Sequence, residues 1–186
     1  MIACIRHTAS CNLTVFGGVF AASAGALFFA LYSQFALGLD PCVLCLYQRI
    51  PFFTAAGLSL IGLLLHDNAK ITRALLALCA LLFLINAGIA FYHTGVEQSW
   101  WASAVEGCVV PDFNADPTLL QKILTAPAAI CSDVAWRDPV FGLTMANLNI
   151  VFCLGLFLAC ALALACRACP GETNNATPHQ KPSEGP

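Results

Sequence analysis

The chain has 186 residues, of which 59% are hydrophobic and 10% charged, and its mean hydropathy is +0.79. A soluble domain carries about 25% charged residues, so this chain lacks the polar surface to cover a water-facing globule, and its apolar residues run in long blocks that suit a lipid bilayer as solvent. A net charge of −2 with no basic cluster argues against nucleic acid as a partner, and eleven cysteines suit neither a bland cytosolic protein nor a small secreted scaffold.

Four stretches are long enough to cross about 30 Å of hydrocarbon as helices of roughly 20 residues: Leu13–Phe35, Cys42–Leu65, Ala74–Tyr92 and Val140–Cys166. The first has features of a signal peptide, with Arg6 ahead of an apolar run containing Ala22-Ser23-Ala24. That run continues to Leu31, beyond the usual h-region of about 7–15 residues, so four retained spans are predicted. A tight link, Ala36 to Pro41, joins spans one and two, and the polar turn His66 to Arg73 joins spans two and three. Spans three and four are joined by the long segment His93–Pro139. The fold class that follows is an all-α membrane protein, a four-helix bundle forming one domain over 1–166. The remainder, 167–186, reads as a disordered tail, rich in Pro, Asn, Thr and Glu.

Lys and Arg set the orientation. With the N-terminus inside, the cytoplasmic side holds Arg6, Lys70, Arg73, Arg167 and Lys181, and the outer side only Lys122 and Arg137, with Arg49 near the membrane edge. Basic residues near helix ends stay cytoplasmic, so both termini are expected inside. Cys42, Cys45, Cys108 and Cys131 are then expected on the outer face, where disulfides persist.

Asp40-Pro41-Cys42-Val43-Leu44-Cys45 reads as a helix start, with Asp40 as N-cap and Pro41 at the first helical position. Both cysteines then fall in the first turns, where free N–H groups and the helix dipole favour a thiolate. Arg49 follows four residues after Cys45 on the same helical stripe. A guanidinium at that depth points to function; the bland alternative is an interfacial anchor. The C-x-x-C also admits a metal reading with Cys108, Cys131 and His93 as further ligands, but the outer face lacks the second close ligand pair that zinc commonly uses, and no metal is expected.

In the long segment, Asp116-Pro117 opens a second helix signature, with Leu119, Leu120, Ile123 and Leu124 on one face. It fits a short amphipathic helix on the membrane surface or one packed on the bundle ends. Cys108 and Cys131 are the segment's only cysteines, so they form its natural bridge. That bridge is either structural, at roughly 3 kcal/mol, or exchangeable. Two thiol pairs on one face suit a relay by thiol–disulfide exchange. Cys79, Cys153 and Cys160 read as small apolar residues, and Cys166-Arg167-Ala168-Cys169 as an incidental pair at the cytoplasmic end.

The run Pro41-Cys42-Val43-Leu44-Cys45-Leu46-Tyr47-Gln48-Arg49, the run Tyr92-His93-Thr94-Gly95-Val96-Glu97, Cys108, Cys131, Trp136 and Phe141-Gly142-Leu143-Thr144-Met145 together resemble the disulfide bond formation protein B (DsbB) family, over essentially Leu13 to Cys166. The resemblance implies a thiol–disulfide oxidoreductase of the bacterial inner membrane. It would reoxidise a periplasmic thioredoxin-fold oxidase (DsbA-like) and pass the electrons to the membrane quinone pool, ubiquinone or menaquinone. It further implies that Cys108 forms the mixed disulfide, that Cys131 pairs transiently with Cys42, and that Cys45 is freed towards the quinone. Arg49 would hold a quinone carbonyl and His93 would lie near the ring. Three stretches differ from the family pattern: Gln48 stands where some members carry an acid, Trp136-Arg137-Asp138-Pro139-Val140 before Gly142-Leu143 is slightly expanded, and Ala146-Asn147-Leu148-Asn149 stands where an aromatic is expected. A quinone-linked enzyme of the vitamin K epoxide reductase type is the alternative enzyme, disfavoured by the cysteines between spans three and four. A non-catalytic membrane metal-thiol scaffold is the alternative outside enzymes.

Overall fold

Long apolar runs without charge leave the backbone one way to satisfy its polar groups in lipid, which is to bond within each segment as a helix. The computed structural model describes residues 2–105, 108 and 130–166, with side chains from residue 12 onward. Its helices are α1 (Ile2–Phe35), α2 (Val43–Leu64), α3 (Ala69–Glu97) and α4 (Met145–Cys166). Each contains an apolar stretch of at least 21 residues, which at about 1.5 Å per residue reaches across the hydrocarbon. The predicted amphipathic helix around Asp116–Leu124 and the predicted tail 167–186 lie outside the described residues.

Three of the helix ends that differ from the expected ones have a clear local reason. Helix α3 starts at Ala69 rather than Ala74, because Asn68 caps it: its side-chain oxygen accepts from the N–H groups of Lys70 and Ile71, both at 3.2 Å. The same helix runs past Tyr92 to Glu97, so His93 and Glu97 belong to its last turns and not to a loop. Those polar residues are tolerated because they face inward onto partners from α2 and α4. Helix α4 starts at Met145 rather than Val140. The Asp138 carboxylate accepts from Val140 N–H at 3.0 Å and Phe141 N–H at 2.7 Å, and Gly142 turns the chain at φ +67°, a value glycine adopts freely. Thr144 then caps α4 through Asn147 N–H at 3.3 Å.

The link before α2 is closed by Gly38 at φ +66°, a value glycine adopts freely, and by a hydrogen bond from Leu39 N–H back to Ser33 O in the last turn of α1 at 3.1 Å. Packing runs α1 on α2, α2 on α3 and α3 on α4, with little contact between α1 and α4. The central core is Phe16, Val19, Phe52, Leu76, Phe83 and their neighbours, with Cys79, Cys153 and Cys160 among them. A side chain at Gly62 would strike the ring of Phe16, so glycine there lets α1 approach α2. Phe28, Phe35, Leu64 and Val151 are exposed, a surface that calls for lipid.

Candidate active site

At the start of α2 the cap is Cys42 itself, two residues later than the predicted Asp40. Its backbone is extended (φ −74°, ψ 171°), and its sulfur accepts from Cys45 N–H at 3.4 Å. Cys42 therefore takes the position that Ser or Asp usually fills, and a thiolate there meets the positive end of the helix dipole. The Cys42 and Cys45 sulfurs are 3.1 Å apart and share a hydrogen bond, with both thiols free.

From α3, His93 reaches in with Nε2 3.5 Å from the Cys42 sulfur. The hydrogen bond from Cys45, then hydrogen bonding and charge from His93, hold the Cys42 thiol far below the ordinary thiol range, against the opposing effect of burial. One turn on, the buried Glu97 carboxylate lies 3.7 Å from His93 Nε2, and its other oxygen accepts from the Thr144 hydroxyl at 2.6 Å.

A chain of amides holds the far side of the imidazole. Gln48 Nε2 is 3.0 Å from His93 Nδ1. Gln48 Oε1 accepts from Asn149 Nδ2 at 2.7 Å, Asn149 Oδ1 accepts from Cys153 at 3.3 Å, and Cys153 accepts from Asn86 Nδ2 at 3.3 Å. Because the Gln48 carbonyl is taken by Asn149, its NH₂ faces Nδ1 and makes that atom the acceptor. A neutral His93 then carries its proton on Nε2, aimed at the Cys42 sulfur.

Cys108 and Cys131 are bridged, with Cα atoms 4.8 Å apart, and both are buried in a second apolar cluster with Cys42, Leu44 and Val96. All four predicted cysteines and His93 thus gather at one end of the bundle. Arg49 turns the other way. Its guanidinium donates to Gln34 Oε1 at 2.8 Å and to Ala30 O at 3.3 Å, tying α2 to α1. Gln48, Asn149, Thr144 and the His93–Glu97 pairing were not read as site features. Only the i,i+4 spacing of His93 and Glu97 was a sequence signal for any of them.

The cavity between Cys42, Cys45, His93 and Trp136 is about 40 Å³, room for a water or two and too small for a quinone ring. On α1 an exposed apolar groove is lined by Phe28, Leu31, Tyr32 and Phe35.

A four-helix membrane bundle with a free C-x-x-C pair packed against a second, bridged pair defines a membrane thiol–disulfide oxidoreductase. The family model described as "Disulfide bond formation protein DsbB" matches residues 12–163, and the chain belongs to that family. Similar proteins named "Disulfide bond formation protein B" include one from Aromatoleum aromaticum, 34% identical over 82% of this chain and 92% of the relative. Another, from Xanthomonas campestris pv. campestris, is 33% identical over 75% and 82%, and one from a Shewanella species is 30% identical over 84% and 86%. The chain is accordingly a multi-pass membrane enzyme that makes protein disulfides, and its family implies quinone as the electron acceptor.

Proposed function

We propose that this chain takes electrons from a periplasmic thioredoxin-fold dithiol through Cys108 and Cys131, and then through Cys42 and Cys45, and delivers them to ubiquinone or menaquinone of the inner membrane. The observation that carries this reading is the Cys42–Cys45 dithiol, free and hydrogen-bonded, in one buried cluster with the Cys108–Cys131 disulfide.

The donor's thiolate attacks the Cys108 sulfur, forming the mixed disulfide and releasing Cys131 as a thiolate. Cys131 attacks Cys42 of the inner disulfide, so that Cys42–Cys131 forms and Cys45 leaves as a thiolate. The donor's second thiol then attacks its own mixed disulfide and departs oxidised, freeing Cys108. Cys108 returns to Cys131 and releases Cys42. Two electrons now rest on Cys42 and Cys45, the redox arrangement described above. His93 Nε2–H and the α2 N-terminus stabilise Cys42 as the leaving thiolate in that last exchange. Bound quinone supplies the two-electron sink, taking up two protons as the inner pair closes. Arg49 would orient a quinone carbonyl with the guanidinium donors it does not spend on α1.

With Lys70 and Arg73 around the start of α3, the positive-inside rule supports cytoplasmic termini and periplasmic thiols. Donor-to-quinone turnover in detergent tests the whole proposal. Electron transfer from a reduced thioredoxin-fold protein to added quinone is expected. An intact Cys108→Ser protein that turns over at the normal rate would refute the order of exchange.

A further inference from the structure

Three donor atoms that suit Zn²⁺ converge where α2 begins and α3 ends, and a carboxylate stands beside them. The Cys42 and Cys45 sulfurs and His93 Nε2 all lie within 4.8 Å of one another, and Glu97 Oε1 is 3.7 Å from Nε2. Zn²⁺ binds sulfur at about 2.3 Å, nitrogen at about 2.0 Å and a carboxylate oxygen at about 2.1 Å. A tetrahedron with those bonds separates nitrogen from sulfur by about 3.5 Å, nitrogen from oxygen by about 3.4 Å and sulfur from sulfur by about 3.8 Å. The corresponding distances here are 3.5 Å for His93 to Cys42, 3.7 Å for His93 to Glu97 and 3.1 Å between the sulfurs. Binding requires the sulfurs to part by roughly 0.7 Å, within reach of a small side-chain rotation, and Glu97, which stands outside the tight group of Cys42, Cys45 and His93, to turn its carboxylate in as the fourth ligand.

We propose that reduced Cys42 and Cys45, with His93 and Glu97, form a binding site for a soft divalent d¹⁰ cation such as Zn²⁺, and that the bound ion shuts the inner pair to disulfide exchange. Metal ligands need oriented supports, and two are in place. Thr144 donates to the second Glu97 oxygen, and the Gln48 amide faces His93 Nδ1. Turning that amide over offers its oxygen to Nδ1–H and leaves the Nε2 lone pair for the metal. Asn149, whose amide can turn with it, keeps the other end of Gln48 partnered. Asp40 and Asp133 also line the small cavity and favour entry of a cation.

No electron moves on binding. The ion takes two thiolate sulfurs, any thiol protons still present are released, and the imidazole proton shifts from Nε2 to Nδ1. A closed Cys42–Cys45 disulfide offers no thiolate, so the ion distinguishes the reduced inner pair from the oxidised one. The regulatory half of this inference rests on the relay proposed above; the binding half does not.

The test uses the full chain in detergent, reduced and stripped of metal, then titrated with Cd²⁺ and followed by its thiolate charge-transfer absorption. Zn²⁺ is measured by competition. One tightly bound ion is expected, unchanged in Cys108→Ser/Cys131→Ser and in Cys166→Ser/Cys169→Ser, and lost in Cys45→Ser. His93→Leu and Glu97→Gln are each expected to weaken it by about tenfold or more. Because His93→Leu can also fail to fold, His93→Cys is the companion variant and should retain binding through a third thiolate. A band that survives Cys45→Ser, one that needs Cys108 and Cys131, or equal affinity in well-folded His93→Leu and Glu97→Gln overturns the site. Donor-to-quinone turnover, run with chelator and with saturating Zn²⁺, reads the regulatory half. A fall of at least about tenfold, reversed by chelator, is expected from occupancy of the reacting sulfurs, and unchanged turnover overturns it. If turnover is absent even with chelator while the cadmium band behaves as expected, the relay falls and the metal site stands.

Discussion

The same residue type occupies two regions of the bundle under opposite conditions. In the central core, Cys79 and Cys160 are buried among Leu76, Phe83 and Ala87 and serve as small apolar side chains. At the end of the bundle where α2 begins, Cys42 is also buried but meets a helix N-terminus, a second thiol and an imidazole. Burial alone makes a thiol inert, whereas burial beside oriented donors makes a reactive thiolate. Cys153 falls between the two, buried in the core yet linked to Asn86 and Asn149. Sulfur chemistry in this chain is set by the neighbouring polar atoms and not by depth.

The largest effect separates those regions directly. Cys42→Ser, Cys45→Ser, Cys108→Ser and Cys131→Ser should each abolish donor-to-quinone turnover. Cys79→Ala and Cys160→Ala should keep it, at a stability cost of roughly 1 kcal/mol each. Cys131→Ser should in addition trap the Cys108 mixed disulfide with the donor, visible on a non-reducing gel. Full activity in Cys45→Ser, or none in a well-folded Cys79→Ala, would erase the distinction.

Arg49 carries the next largest effect. A guanidinium hydrogen bond is worth about 1.5–3 kcal/mol, so Arg49→Ala should raise the quinone KM by about ten- to a hundredfold. Arg49→Lys keeps the charge without the planar fork and should fall between. The contacts to Gln34 and Ala30 add a second expectation, a lower Tm for Arg49→Ala. A lower Tm with an unchanged KM would make Arg49 a strut between α1 and α2 and move the quinone site elsewhere.

The contrast between reactive and inert thiols also has a pH signature. The hydrogen bond from Cys45 and the facing His93 lower the Cys42 pKa, so Cys42 in the reduced, metal-free chain should alkylate at pH values well below the ordinary thiol midpoint of about 8.5. The groups facing it are Cys45 on α2, His93 and Glu97 on α3, and Asp40 and Asp133 beside the cavity. Cys45→Ala removes the largest contribution and should raise the midpoint most, with His93→Leu second. Cys45→Ser keeps a hydroxyl donor and should shift it least. Labelling at Cys42 read by mass spectrometry decides the order, and an ordinary midpoint in the unaltered chain would refute the thiolate.

Spans, thiol pair and loop bridge were legible in the sequence because each depends on local features: runs without charge, a spacing of three, two cysteines in one segment. The packing of those features was not. His93 meets Gln48 across 45 residues, and Asn149 meets Gln48 across 101. No local pattern encodes such pairings. The continuation of α3 to Glu97 was hidden for the same reason: polar residues at a helix end resemble a loop until their partners on α2 and α4 are known. Arg49 lay on the predicted stripe of α2, yet a long side chain reaches well to either side of its stripe, and Gln34 drew it towards α1. Two of the stretches that differ from the family pattern, Gln48 and the segment containing Asn149, touch each other and pair amide to amide.

That amide pair gives the smallest predicted effect and the finest test of the comparison, because it lies between the reactive thiols and the core. Gln48→Leu leaves His93 Nδ1 and the Asn149 amide without their partner. Side-chain hydrogen bonds between membrane helices are worth about 0.6 kcal/mol on average and at most about 1.7 kcal/mol, so the stability loss should be slight and folding retained. The chemical consequence is more specific. Without the Gln48 NH₂ on Nδ1, one of the contacts that hold the His93 proton on Nε2 is lost, and Cys42 loses part of its donor. The Cys42 alkylation midpoint should rise by less than in His93→Leu, with turnover down a few-fold. Gln48→Leu/Asn149→Leu removes both amides, should recover the lost stability, and should keep the raised midpoint. If instead the midpoint returns with the stability, the amides only pack the helices together, and the His93 tautomer is set by Glu97 and Cys42 on the Nε2 side.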